Sequence, residues 1–227
     1  VVVPSKFCKD VFERQFSHVT CDIIHHWTPL PKSLPPDDTV DYTFYHIGNI
    51  ADPRKQTKRI IEAFLRLNLP NTKLVLKATC KQPVTINLPR VEVINGLLPE
   101  ERILDIHRRC DCYVSFSHSE GVGMGAVEAA LLDKPVIISE YGGAKEYVHT
   151  PYVIPCTRKI IGHDDFLYTA DMEWGDPDFS KLMEYMSDAY QKQLRTWDHS
   201  HTKELLSDEK IKSEFTEHSR LCNSRDT

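Results

Sequence analysis

Apolar and polar positions follow two rhythms along this chain. Short, nearly unbroken apolar runs recur at 42–48 (YTFYHIG), 72–79 (TKLVLKAT), 91–95 (VEVIN), 111–117 (DCYVSFS), 135–139 (PVIIS) and 152–155 (YVIP). Each predicts a strand buried on both faces. Between them, apolar residues return every three or four positions. Ile60, Ile61, Phe64 and Leu67 do so within 55–68, and Leu182, Met186 and Tyr190 within 178–194. The stretches 99–110, opened by Pro99, and 125–132 read the same way. That spacing predicts helices with one face turned to a core. Ahead of these, VVVPS (1–5), KFCKDVFERQF (6–16) and HVTCDIIHH (18–26) predict strand, helix and strand, and PLPKSLPPDD (29–38) a proline-rich linker. The last thirty residues are polar, with Ile211, Phe215 and Cys222 spaced for one more helix or for a frayed end.

Strands alternating with helices, with the strands apolar on both faces, imply a parallel sheet covered on both sides. The expected fold is therefore α/β: a Rossmann-like, doubly wound domain over residues 38–195. In such sheets ligands bind beyond the carboxyl ends of the strands. The loops to inspect are 48–55, 79–90, 95–98, 117–124 and 140–145.

Composition narrows the partners. The chain has 227 residues, 41% apolar and 27% charged, with a net charge of −5. That balance predicts no broad basic surface for nucleic acid. No apolar run approaches the roughly 20 residues needed to span a bilayer. Seven scattered cysteines without a CxxC pair fit reduced thiols and a cytoplasmic protein. Cys110 and Cys112, with His107 and His118 nearby, raise the question of zinc. Free cysteine in an apolar run packs as a small hydrophobe, so no metal is expected. The chain opens on VVVPSKF, without Met or a signal-peptide pattern, and so reads as a piece of a longer protein.

One stretch carries candidate chemistry. SEGVGMGAVEAALLDKPVIISEYGG places Glu120 and Glu128 on either side of seven residues, among them Gly121, Gly123 and Gly125. Glu120 follows a strand, and Glu128 lies inside the next helix. Glycines let the backbone turn sharply and let a ligand approach closely. Free amides at the helix start, from Gly123 to Ala126, form an anion site. Carboxylates beside it accept hydrogen bonds from hydroxyls. Phosphates in the amides and hydroxyls on the carboxylates together describe a nucleotide sugar. A dinucleotide fingerprint needs other spacing and an earlier strand. The plainer alternative, glycines for close packing and solvated glutamates, stays open on these residues alone.

The E-x7-E pattern followed by KPVIISEYGGAKE resembles the retaining GT-B glycosyltransferases of the GT4 type. Glu120, Gly121, Gly123, Glu128, Ala129, Pro135, Val136, Ile137, Gly142, Gly143 and Glu146 fit that family's pattern in register. IGNIADPRKQTKRIIEAF (47–64) and WGDPDFSKLMEYM (174–186) resemble two further blocks of the family. The resemblance implies one half of a GT-B fold, the half that binds a nucleotide diphosphate sugar. Residues 1–37 are then the remnant of an N-terminal domain plus linker. Residues 38–195 are the donor domain and 196–227 a C-terminal helical tail.

The resemblance also implies roles. Glu120 contacts the donor-sugar hydroxyls, and Lys55 neutralises the diphosphate; these two are the expected catalytic residues. The loop Gly121, Val122, Gly123, Met124 and Gly125 holds sugar and diphosphate, and Glu128 the ribose hydroxyls. Where the family has arginine this chain has Asn49, with Arg54 as a possible substitute or a solvated helix-start charge. The base is expected near Lys77 and Ala78 and along the backbone of Val93, Ile94 and Asn95. The expected donor is GDP-mannose ahead of a UDP-sugar. No cofactor and no metal are implied. The acceptor, a glycan, is reached through the missing N-terminal domain. A sugar-nucleotide epimerase, a phosphorylase and a non-catalytic nucleotide-binding module are the alternatives. His118 is expected to make a structural hydrogen bond, and His25 and His26 to lie partly exposed between domains.

Overall fold

The computed structural model describes residues 1–29, 41–164 and 168–225, with side chains to residue 220. Most of the predicted linker at 29–38, the domain boundary at 37/38 and the side chain of Cys222 therefore lie outside the described residues. The chain begins with strand β1 (Val2–Val3), helix α1 (Lys6–Gln15) and strand β2 (Asp22–Ile23). The strand predicted across 18–26 is thus two residues long. β1 and β2 pair with each other in parallel and do not join the main sheet.

That sheet contains β3 (Tyr42–Gly48), β4 (Thr72–Ala78), β5 (Val91–Ile94), β6 (Cys112–Val114), β7 (Val136–Ser139) and β8 (Val153–Ile154). All are parallel, in the order β5-β4-β3-β6-β7-β8. Successive side chains feed two cores. Phe44, Leu74, Leu76, Val114 and Ile137 face α2 (Thr57–Leu67) and α6 (Phe179–Gln191). Tyr45, Val75, Tyr113 and Ile138 face α3 (Glu100–Arg109) and α4 (Met124–Leu131). This two-sided burial, at roughly 1.5–3 kcal/mol for each large apolar side chain, is why the strands read as continuous apolar runs. The strand order runs outward from β3 one way and from β6 the other. The loops after β3 and β6 therefore diverge and leave a crevice between them.

Three details differ from the sequence reading. The helix expected from residue 55 begins at Thr57. Pro53–Lys55 is instead a 3₁₀ turn, capped by the Asp52 side chain on the Arg54 amide and closed by Gln56 in the left-handed region. An antiparallel hairpin, β9 (Cys156–Ile160) with β10 (Glu173–Pro177), fills what read as connection. Most side chains of β9 are exposed, so no apolar run announced it. After the short α5 (Ala144–Tyr147), the polar C-terminus forms α7 (Ser200–Leu205) and α8 (Asp208–Arg225). Thr202, Leu206 and Ile211 anchor these two helices in the second core.

Candidate functional site

The crevice is built from three loops, those after β3, β6 and β7. The first two are stitched directly, since the His118 amide donates to Arg54 O at 2.8 Å. At their meeting point Lys55 Nζ lies 2.5 Å from Glu120 Oε1, with both side chains mostly covered. The 3₁₀ turn explains the meeting. Pro53 and the left-handed Gln56 keep Lys55 out of α2 and turn it toward the β6 loop. Arg54 stands alongside, pairing with Asp52 at 3.2 Å and donating to Ser119 O at 3.4 Å.

The third loop fixes Glu120 from behind. The Gly143 amide donates to Glu120 O at 2.8 Å. Gly142 has φ +136°, and a Cβ there would sit 2.5 Å from Glu120 O. Only glycine lets this loop lie so close. Gly123, at φ +77°, turns the chain into α4. The amides of Ala126 and Val127 both return to Gly123 O, so those of Gly123, Met124 and Gly125 have no acceptor inside the helix. The helix dipole adds partial positive charge at that spot. An ammonium, a carboxylate and a set of outward amides thus share one small region.

Glu128 sits one turn further along α4, where a cavity of about 330 Å³ opens between α3 and α4. Met124, Glu128, His107, Ile103 and Trp27 line it. Lys55 and Glu120 do not. The predicted site is therefore one charged centre plus one adjoining cavity.

The remaining predicted residues divide by what their side chains already do. Asn49 is exposed and accepts from Cys80 Sγ at 2.9 Å, which ties together the loops after β3 and β4. Lys77 is buried, and its ammonium donates to Ala78 O at 2.6 Å and Gly96 O at 2.7 Å. It braces the strand ends rather than facing a cavity. Asn95 clasps Val84 with both ends of its amide, at 2.8 and 3.0 Å. Ala78 is buried, while Val93 and Ile94 are half-buried at the end of β5. Gly121 O accepts from Ser5 Oγ at 2.9 Å, and Val122 packs on the second core.

The histidines and cysteines resolve into separate roles. His118 donates from Nδ1 to Gly175 O at 2.6 Å and stacks on Trp174 at 4.2 Å. The hairpin thereby props the β6 loop, as a structural role for His118 requires. His25 pairs with Glu214 at 2.8 Å, and His26 is exposed. Cys110 belongs to one core and Cys112 to the other. Burial pushes the Cys110 thiol up to about 12. Among the described residues no cluster of three or more His, Cys, Asp or Glu is placed to hold a metal ion. His46 lies beneath the crevice, with Nδ1 donating to Val114 O at 2.8 Å. Its pKa is lowered to about 4, chiefly by burial, with the Lys55 charge acting in the same direction.

Two residues carry more than their sequence context suggested. Glu146 accepts from the amides of Lys6 at 2.7 Å and Phe7 at 2.8 Å, capping α1. His107 is fully buried between Tyr45 and Glu128. In the sequence it stood only beside two cysteines, as part of a zinc question that packing answers better.

Comparison with known proteins places this geometry. Residues 36–152 match the family model described as "Glycosyl transferases group 1". No curated protein matches the chain. Among solved structures, sucrose-phosphate synthase from Thermosynechococcus elongatus superposes with a TM-score of 0.75 at 17% identity, covering 99% of this chain and 58% of that one. Anabaena Alr3699/HepE in complex with UDP and glucose gives 0.71 at 17%, covering 97% and 62%. The lipopolysaccharide outer core galactosyltransferase WaaB gives 0.66 at 13%, covering 95% and 60%. These likenesses are of fold, that of the GT-B transferases, and this chain spans about three fifths of each of those structures. No helix among the described residues is long and apolar enough to cross a membrane.

Proposed function

The chain belongs to the group 1 glycosyl transferases, and we propose that it is the donor-binding half of a retaining GT-B enzyme of the GT4 type. The observation that carries this reading is the contact of Lys55 with Glu120 beside the outward amides of α4. A nucleotide diphosphate sugar matches each part. The amides and Lys55 meet the diphosphate, whose negative charge grows as the sugar departs. Donors held in place before the reaction stabilise such developing charge more than most other catalytic devices do. Glu120 accepts from sugar hydroxyls and Glu128 from the ribose. The cavity between α3 and α4 takes nucleoside.

The donor assigned is GDP-mannose or a UDP-hexose. The fold neighbour holding UDP and glucose supports testing UDP-glucose on equal terms. An acceptor glycan is assigned to the domain that residues 1–37 would complete. The cytoplasm is the assigned compartment, in keeping with the free cysteines. Ligand that binds only the folded state raises the melting temperature. GDP-mannose and UDP-glucose are therefore compared by thermal shift, with and without EDTA. A rise with one of them that survives chelation is the expected result. No rise with either, or a rise that needs manganese, overturns the reading. Transfer of labelled sugar by a protein that pairs this chain with an acceptor-binding domain, with the product anomer read by NMR, tests the retaining step.

A second reading, nucleotide binding without turnover, is favoured by one observation. Asn49 stands where the family pattern has arginine, and it is held by Cys80. Binding of donor without transfer when an acceptor-binding domain is supplied would establish it.

A further inference from the structure

We propose that His107 is a positioning residue that orients Glu128 toward the ribose, with Tyr45 hydrogen-bonded to its other ring nitrogen. The proposal rests on the ribose reading of Glu128. His107 is 0% exposed. Its Nδ1 lies 2.8 Å from the hydroxyl of Tyr45, which is equally buried. Its Nε2 is buried without a hydrogen-bond partner among the described residues, and Glu128 Oε2 stands 3.5 Å away. The Glu128 side chain is 34% exposed, so one end of it reaches the cavity that His107 also lines.

Hydrogen-bond capacity fixes the direction of this chain. An ionised carboxylate only accepts, and a neutral imidazole carries one donor and one acceptor. Nε2–H must therefore face Glu128, and in the neutral ring Nδ1 then accepts from the Tyr45 hydroxyl. Every buried polar atom is then served once Glu128 closes by a few tenths of an ångström. A buried donor left without an acceptor is costly, so closure is favoured. Oε2 is engaged by the imidazole, and Oε1 remains for the vicinal hydroxyls of a ribose. Without His107, the carboxylate would sample several rotamers in an open cavity.

The test uses the full 227-residue chain and titrates GDP and UDP against their 2′,3′-dideoxy counterparts. Hydrogen bonds to a charged group set a wild-type preference for the ribose form of roughly ten- to a hundredfold. His107→Asn keeps a partner for Tyr45 but loses the donor to Glu128, and the preference should fall about fivefold or more. His107→Gln places an amide near Nε2 and should retain most of it. A His107→Asn chain with the wild-type preference overturns the proposal. A wild type with no preference overturns the ribose reading itself, and the proposal with it. Imidazole ¹⁵N shifts of the unmodified chain give a check independent of any variant. A protonated Nε2 that moves on adding nucleotide is expected. A protonated Nδ1 with an unprotonated Nε2 would overturn the assignment.

Discussion

Lys55 Nζ stands 2.5 Å from Glu120 Oε1, joining the two loops that diverge where the strand order reverses. Both side chains are partly covered, so the pair is less screened than a surface ion pair. A ligand that takes Lys55 for its phosphates must loosen this contact. Each partner's removal therefore has a distinct signature.

Lys55→Ala should weaken binding of a nucleoside diphosphate by about ten- to a hundredfold, the worth of a charged hydrogen bond. The loss should be larger at low ionic strength, where screening is least. Calorimetry at two salt concentrations measures it. Unchanged affinity would remove the 3₁₀ turn from the phosphate site.

Glu120→Gln should separate sugar from nucleotide. Its amide no longer holds Lys55 as a counter-ion, so the free nucleoside diphosphate should bind as well as before or better. The sugar nucleotide should lose about tenfold or more, because a charged acceptor for its hydroxyls is gone. Equal losses for the two ligands would refute the role of Glu120.

The fold was legible because its strands are buried on both faces. Tyr42, Phe44 and Tyr45 form an apolar run whose meaning does not depend on neighbours. The glycines around Glu120 were legible for a related reason, since a backbone needing positive φ or close approach leaves few residue choices. Hairpin β9–β10 was not legible, because CTRKI exposes most of its side chains and EWGDP has no strand-like composition. Lys55 was placed on a helix because periodicity cannot see a left-handed residue at Gln56. The contacts of His107 and Glu146 escape the sequence for a third reason. Their partners, Tyr45 and the amides of Lys6 and Phe7, are distant in sequence, and no local pattern records such a contact.

Gly142→Ala should damage the site through the backbone. The residue sits at φ +136°, and the added Cβ would meet Glu120 O at 2.5 Å and Glu120 N at 2.9 Å. Strain of this kind costs about 1–3 kcal/mol, and for a chain of this size each kcal/mol lowers the melting temperature by roughly 2–4 °C. Gly96→Ala is the control, with φ +86° and nothing within 4 Å of the new Cβ. Equal shifts in the two variants would show that the contact with Glu120 adds nothing.

His46 should govern part of the acid limb of stability. Its pKa is lowered to about 4 from an ordinary 6.5. The folded state thus binds fewer protons than the unfolded state between those values. Its contribution is complete above pH 6.5 and is lost as pH falls toward 4, by roughly 3 kcal/mol in total. His46→Asn keeps an N–H for Val114 O and does not titrate. Denaturant unfolding from pH 7 to pH 4 should show wild type losing more than the variant across that window. Parallel curves would exclude His46 as the source.

The Glu146 carboxylate gives the crevice a polarity. The starts of α1 and α4 both lie against the loop after β6. At α1, Ser5 Oγ accepts from the Cys8 amide while Glu146 takes those of Lys6 and Phe7, so its positive end is already neutralised from within. At α4 the amides of Gly123, Met124 and Gly125 have no acceptor inside the helix. An anion entering the crevice would therefore be drawn to the start of α4 and not to that of α1, which would give a long, charged ligand a preferred sense in which to lie.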